Sequence, residues 1–115
     1  MKTLRQAKRV PPAAAPLLRK CKRLIRRLLP DATVLLYGSL ARGTAGPDSD
    51  WDILVLTPKR LTYAEQEPIR NAVYDLELQH DVVLSLLFYA QEEWNDPLHR
   101  VTPFNRNVSR EGVVI

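Results

Sequence analysis

The sequence predicts a small α/β (α+β) domain in which a mixed β-sheet carries helices packed on one side. Two observations lead to this prediction. Apolar residues recur at helical spacing in two segments, and three short apolar runs are typical of strands. Their order is helix, two strands, helix, strand and an irregular tail, which fits a small mixed-sheet domain. With 115 residues, 45% of them hydrophobic, the chain can build one domain with a small core.

The first helix is predicted to begin at Leu17 and to end before Pro30. Its apolar positions recur at spacings of three and four, and basic side chains fill the positions between them. The preceding residues 1–16 are basic and rich in proline and alanine. We therefore expect a flexible lead-in over 1–16 and a single domain over 17–115.

Three apolar runs are predicted to form strands: Thr33–Tyr37, Trp51–Thr57 and Val82–Tyr89. The third run is almost wholly apolar, so we expect it at the centre of the sheet. The last 25 residues predict a short helix or loops, followed by a terminal strand over Val113–Ile115.

A second helix is predicted from about Glu67 to Gln79, where apolar residues again fall on one face. Upstream, Thr62 and Glu65 have the spacing of a capping box. A helix that began there would contain Pro68, which breaks or restarts helices. The later start is therefore preferred.

Composition excludes several classes of protein. No apolar run approaches the roughly 20 residues that a membrane span needs. The basic N-terminus also lacks the apolar stretch of a secretory signal. The single cysteine, Cys21, cannot form an internal disulfide, which fits a reducing compartment. We expect a cytoplasmic protein.

Charge is distributed unevenly along the chain. The first 30 residues hold ten basic side chains and no acidic one, while all 13 acidic side chains follow. This pattern is typical of a solvated helix face, although it could also attract an acidic partner or nucleic acid. No aromatic side chain lies among these basic residues. Because charge alone gives only non-specific affinity, we do not expect nucleic acid as the partner.

The segment from Gly38 to Asp52 carries the chemistry. Asp50 and Asp52 lie two residues apart at the start of a predicted strand, so their side chains share one face with Cα atoms about 6.6 Å apart. Paired carboxylates can bind Mg²⁺ and hold it against substrate phosphates. Upstream, Gly38-Ser39 follows another strand, and backbone N–H groups with a serine hydroxyl form an anion site there.

Gly38-Ser39, ten intervening residues and Asp50-x-Asp52 together resemble the signature of the polymerase-β-type nucleotidyltransferase superfamily. The short length and the closing stretch from Asn107 to Val113 resemble its minimal nucleotidyltransferase (MNT) branch. The resemblance covers Leu17 to Ile115 and implies a polymerase-β-like nucleotidyltransferase fold.

The resemblance also implies roles for individual residues. Gly38 and Ser39 would bind the phosphates of a nucleoside triphosphate, and Arg42 would neutralise charge on them. Asp50 and Asp52 would be catalytic and would bind Mg²⁺. Active members usually carry a third carboxylate on the neighbouring strand. Here that position falls on Asp81 or, counting from the turn, nearer to Ser85.

We therefore expect an Mg²⁺-dependent nucleotidyltransferase that moves a nucleoside monophosphate, AMP from ATP, to an acceptor hydroxyl. The resemblance implies a tyrosine on a helical HEPN-type partner in a toxin–antitoxin pair as the acceptor. The alternative is a catalytically degenerate subunit of the same fold that binds and neutralises a partner protein, and Ser85 in place of a carboxylate favours it. Formation of a homo-oligomer is left open.

Overall fold

The computed structural model describes all 115 residues, and a five-stranded mixed sheet organises them. The strands occur in the order β1-β5-β2-β3-β4. Strand β2 runs antiparallel to both β3 and β5, whereas the β3–β4 and β1–β5 pairs are parallel. The predicted mixed sheet is therefore confirmed. The strands are β1 (Lys2–Thr3), β2 (Thr33–Tyr37), β3 (Trp51–Thr57), β4 (Leu84–Ala90) and β5 (Val113–Val114).

Two long helices pack against one face of this sheet, as the sequence predicts. Leu18, Cys21 and Ile25 of the first helix are fully buried, while its basic side chains lie on the outer side. The other helices are short, and no helix of the chain is both long and apolar enough to cross a membrane. The helices are α1 (Ala15–Leu28), α2 (Gly38–Arg42), α3 (Tyr63–His80), α4 (Gln91–Trp94), α5 (Pro97–Arg100) and α6 (Pro103–Glu111), with a 3₁₀ turn at Pro12–Ala14.

The second face of the sheet is covered by the C-terminal helices, which adds a layer to the predicted architecture. Trp94 and Val108 pack against Leu54 in a smaller apolar cluster. Buried Asn105 donates a hydrogen bond from Nδ2 to the Trp94 carbonyl oxygen at 2.9 Å. The sequence left this region as a short helix or loops because each of its helices is too short to show periodicity. The predicted terminal strand is present as β5.

Strand β4 lies at the edge of the sheet and not at its centre, so that expectation was wrong. Its apolar side chains are explained by helices on both faces. Side chains also cover the open edge: Glu77 accepts a hydrogen bond from the Leu84 N–H at 2.9 Å, and Glu93 accepts one from the Ala90 N–H at 3.0 Å. Capping of this kind blunts an edge that would otherwise pair with another chain.

The N-terminal residues also differ from the expected flexible lead-in. β1 pairs with β5, and the Leu4 N–H donates to the Val114 carbonyl oxygen at 2.7 Å. Leu4 and Val10 are buried in the main core. These contacts depend on residues near the far end of the chain, so local composition could not reveal them.

Helix α3 begins earlier than predicted, at Tyr63, and keeps Pro68 inside it. The capping box forms in full: the Glu65 N–H donates to the Thr62 hydroxyl, and the Thr62 N–H donates to the Glu65 carboxylate. Proline removes only one backbone donor near the start of the helix, and the capping box compensates for that loss.

Candidate functional site

Gly38 and Asp52 are in close contact where β2 ends and β3 begins. Tyr37, the last residue of β2, is the register partner of Asp52. Gly38 follows with φ at +78°, a conformation that L side chains rarely adopt. A Cβ atom at Gly38 would lie 3.1 Å from Cγ of Asp52 and closer still to its Oδ2. Only glycine lets the start of α2 approach this carboxylate.

The two aspartates interact electrostatically. Asp50 directly precedes β3 and is exposed, whereas Asp52 is half-buried. Burial raises the pKa of the Asp52 carboxyl, the charge of Asp50 raises it further, and the charge of Arg42 lowers it. The pair therefore concentrates negative charge at the start of β3.

Ser39 is held in a short helix that is closed by a glycine. Its carbonyl oxygen accepts a hydrogen bond from the Thr44 N–H at 3.0 Å. Gly43 follows the last residue of α2, has φ at +78° and donates its N–H to the Leu40 carbonyl oxygen. These hydrogen bonds hold the backbone of α2, and Ser39 follows Gly38, the residue that contacts Asp52.

Arg42 lies at the end of α2 and forms the only ion pair in the protein, with Glu111 of α6 at 3.0 Å between Nη1 and Oε1. Its charge also acts on Asp52. Arg42 therefore links the carboxylate pair to the C-terminal helix.

Ser85 and Asp81, the two candidates for a third acidic position, occupy different places. Ser85 is the register partner of Asp52 on the parallel strand β4, so both side chains leave the same face of the sheet. Asp81 is an exposed residue in the left-handed region (φ +52°) at the end of α3. It lines a cavity with Trp51, whose side chain points to the opposite face from Asp52. The structure does not bring Asp81 to the pair.

The donor set of the site fits a magnesium ion. Asp50 and Asp52 supply hard oxygen ligands, and the pKa of Asp52 is raised first by burial and then by the charge of Asp50, which a bound cation would offset. No group of three or more His, Cys, Asp and Glu side chains could hold a metal ion without further ligands. Substrate or solvent oxygens would have to complete the coordination, as is usual for Mg²⁺.

Sequence reasoning missed two residues of this region. Tyr37 lies beside Asp52, and the pKa of its phenol is raised by burial, by the Asp52 charge and by Tyr89. Its position just before Gly38 is the only signal in the sequence. Glu111 pairs with Arg42 across 69 residues, a separation at which sequence gives no signal.

Comparisons with known proteins agree with this geometry. Residues 18–112 match the family described as "Nucleotidyltransferase domain". The chain is similar to a Methanocaldococcus jannaschii protein described as a candidate protein adenylyltransferase, with 31% identity over 75 residues that cover 64% of this chain and 76% of that protein.

Solved toxin–antitoxin structures share the fold. One is a toxin–antitoxin with AMP-PNP, at a TM-score of 0.61 and 22% identity, covering 84% of this chain and 70% of the other. Another is tri-AMPylated Shewanella oneidensis HEPN toxin in complex with MNT antitoxin, at a TM-score of 0.54 and 18% identity, covering 87% of this chain and 69% of the other. Together these matches confirm the resemblance that the segment from Gly38 to Asp52 carries.

Proposed function

The chain belongs to the nucleotidyltransferase domain family, and from that premise we propose that it transfers AMP from ATP to a hydroxyl group of a partner protein. Membership of this family establishes the reaction class, which is nucleotidyl transfer. The nucleotide, the metal and the acceptor are the parts that we propose here.

The contact between Gly38 and Asp52 is the observation that carries the proposal. It brings the start of α2 against a carboxylate that also feels the charge of Asp50. Phosphate oxygens at Gly38-Ser39 and a cation at the two aspartates would therefore be neighbours. A nucleoside triphosphate that binds together with a metal ion needs the phosphate contacts and the cation site side by side.

Each residue then has a defined task. Asp50 and Asp52 would hold Mg²⁺, which when bound supplies positive charge against the phosphate oxygens. The Gly38 backbone and the Ser39 hydroxyl would bind the outer phosphates, and Arg42 would neutralise their charge. The acceptor oxygen forms a bond to the α-phosphorus while the bond to the bridging oxygen breaks. Pyrophosphate leaves, and the hydroxyl proton passes to a carboxylate or to solvent.

We propose a tyrosine of a helical HEPN-type protein as the acceptor, with the two proteins acting as toxin and antitoxin. Two observations on similar proteins support this assignment. The M. jannaschii relative is described as a candidate protein adenylyltransferase, and one structural neighbour is a complex of an MNT antitoxin with a tri-AMPylated HEPN toxin.

The test follows label from ATP that is labelled at the α-phosphate. The wild-type protein is incubated with MgCl₂, this ATP and a purified HEPN-type protein, and the acceptor residue is mapped by mass spectrometry. We expect label on a tyrosine of the partner. Asp50→Asn/Asp52→Asn should abolish transfer, whereas the matched variant Asp81→Asn, on the other face of the sheet, should retain it. Transfer by the double variant would overturn the proposed site.

A second function is favoured by one observation, the serine beside Asp52. If Ser85 leaves the acceptor hydroxyl without a base, the chain would act as a degenerate subunit that binds and neutralises its partner. Formation of a stable complex without label transfer, by both the wild type and Asp50→Asn/Asp52→Asn, would favour this second function.

A further inference from the structure

A cavity of about 620 Å³ lies at the C-terminal end of α2. The N-terminal segment, α2 and α6 form its walls, and we call it the basic cavity. Five cationic side chains line it, and Glu111 is its only carboxylate. The five are Lys2, Lys8, Arg9, Arg42 and Arg110.

The positive charge of the basic cavity is not balanced within the protein. Glu111 pairs with Arg42, and this is the only ion pair in the chain. Lys2, Lys8 and Arg9 therefore bring positive charge together without a carboxylate partner. Like charges that converge in a concavity repel each other and raise the local concentration of anions.

The backbone that carries these side chains is ordered by specific contacts. Gly43 packs so closely against the N-terminal segment that a Cβ atom there would lie 2.8 Å from the Arg9 carbonyl oxygen. Val10 is buried in the core next to Arg9, and β1 holds Lys2 against β5. The cavity is therefore a built feature, in contrast to the open basic face of α1.

The lining indicates the class of ligand. It contains no aromatic ring that could stack on a base, whereas Gln6 and Ser109 add polar groups to the cationic ones. The cations come from three separate parts of the chain and number five, which favours a ligand that carries more than one phosphate group. We propose that the basic cavity binds an oligophosphate, a chain of two or more phosphate groups, either free or as the 5′ tail of a nucleotide.

This site is separate from the proposed catalytic one. Residues 2–9 precede the family match, which begins at residue 18, and they supply three of the five cations. Arg42 is the only residue that the two sites share.

Isothermal titration with inorganic tripolyphosphate, in EDTA to exclude divalent metals, tests the proposal. Lys8→Ala/Arg9→Ala should weaken tripolyphosphate binding at least tenfold. The matched control Arg23→Ala/Arg27→Ala removes the same charge from the exposed face of α1 and should change binding less than twofold. Thermal unfolding of each variant checks its folding, and Lys2→Ala, at an exposed side chain, gives an independent reading if the double variant does not fold.

Two further arms identify the source of the phosphates. ATP that binds more tightly than tripolyphosphate, with the same sensitivity to Lys8→Ala/Arg9→Ala, would assign the site to a nucleotide tail, and equal affinities would assign it to free oligophosphate. Equal weakening by both double variants, or binding of duplex DNA but not of tripolyphosphate, would overturn the proposal. Asp50→Asn/Asp52→Asn should leave tripolyphosphate binding intact, so failure of AMP transfer and failure of this site are distinguishable.

Discussion

Asp52 and Ser85 face each other as register partners on the parallel strands β3 and β4. Neighbouring strands lie about 4.8 Å apart, so a side chain at position 85 leaves the sheet next to that of Asp52. The residue at this position determines how many carboxylates the site contains. The serine there leaves only Asp50 and Asp52.

Ser85→Asp should convert the site into one with three carboxylates. We expect AMP transfer to rise at least about tenfold, because a positioned general base contributes about 10²–10⁴-fold. The metal-free variant should unfold at a lower temperature than the wild type, since a third negative charge joins Asp50 and Asp52. Steady-state transfer and thermal unfolding with and without MgCl₂ measure both effects. Ser85→Asn is the control of equal size, and a similar rate for both variants would show that position 85 does not limit transfer.

Gly38→Ala should damage both the fold and the site. The new Cβ would meet the Asp52 carboxylate, and the backbone at φ +78° is strained for alanine, which costs about 1–3 kcal/mol. Gly46→Ala is the matched control, because the nearest atom to its Cβ is Ser49 Oγ at 3.8 Å and its φ is not positive. Urea unfolding should show a change within about 0.5 kcal/mol for Gly46→Ala. Equal stability of the two variants would contradict the close approach of Gly38 to Asp52.

The elements that bear the site could be predicted because their signals are local. β2 and β3 are continuous apolar runs, and the positions of Gly38 and Asp52 at their ends follow directly from those runs. The antiparallel register that joins Tyr37 to Asp52 is a relationship between strands. Local sequence patterns do not predict it.

Other features depend on contacts between distant parts of the chain. The order of Leu4 follows from its hydrogen bond to Val114, and the edge position of β4 depends on α3 and α4 side chains that cap its open side. Pro68 shows a different limit, since a complete capping box at Thr62 outweighs a helix breaker that follows it. For Leu4 and β4 the deciding contacts are distant in sequence, whereas at Pro68 two local signals oppose each other and the sequence does not say which one prevails.

Asp52→Asn should stabilise the metal-free protein at neutral pH while it abolishes transfer. The pKa of the Asp52 carboxyl is raised in the folded state, first by burial and then by Asp50. The charged form is therefore disfavoured on folding, and this cost is present above the folded pKa and absent below the unfolded pKa. Urea unfolding in EDTA should show a gain at pH 7 that disappears near pH 3. Asp48→Asn, at an exposed carboxylate, should show no such gain, and a loss of stability for Asp52→Asn at pH 7 would contradict the electrostatic assignment.

Cys21 should make the protein sensitive to alkaline pH. Burial raises the pKa of its thiol from 9.0 to about 12, and the charge of Glu77 adds to the shift. Because the folded pKa is raised, the thiol contributes its full stability below pH 9 and loses it as the pH rises towards 12. Ionisation of this thiol should lower the free energy of unfolding by up to about 1.4 kcal/mol per pH unit. This loss adds to the loss that other titrating groups cause.

Urea unfolding of the wild type and of Cys21→Ala between pH 8 and pH 10.5 measures this contribution. The variant should be less stable by about 1 kcal/mol below pH 9, because it leaves a small cavity among Leu18 and Ile25. It should lose less stability than the wild type as the pH rises further, and titrations shared by both proteins cancel in the comparison. Parallel curves for the two proteins would show that the thiol ionises as readily in the folded chain as in the unfolded one.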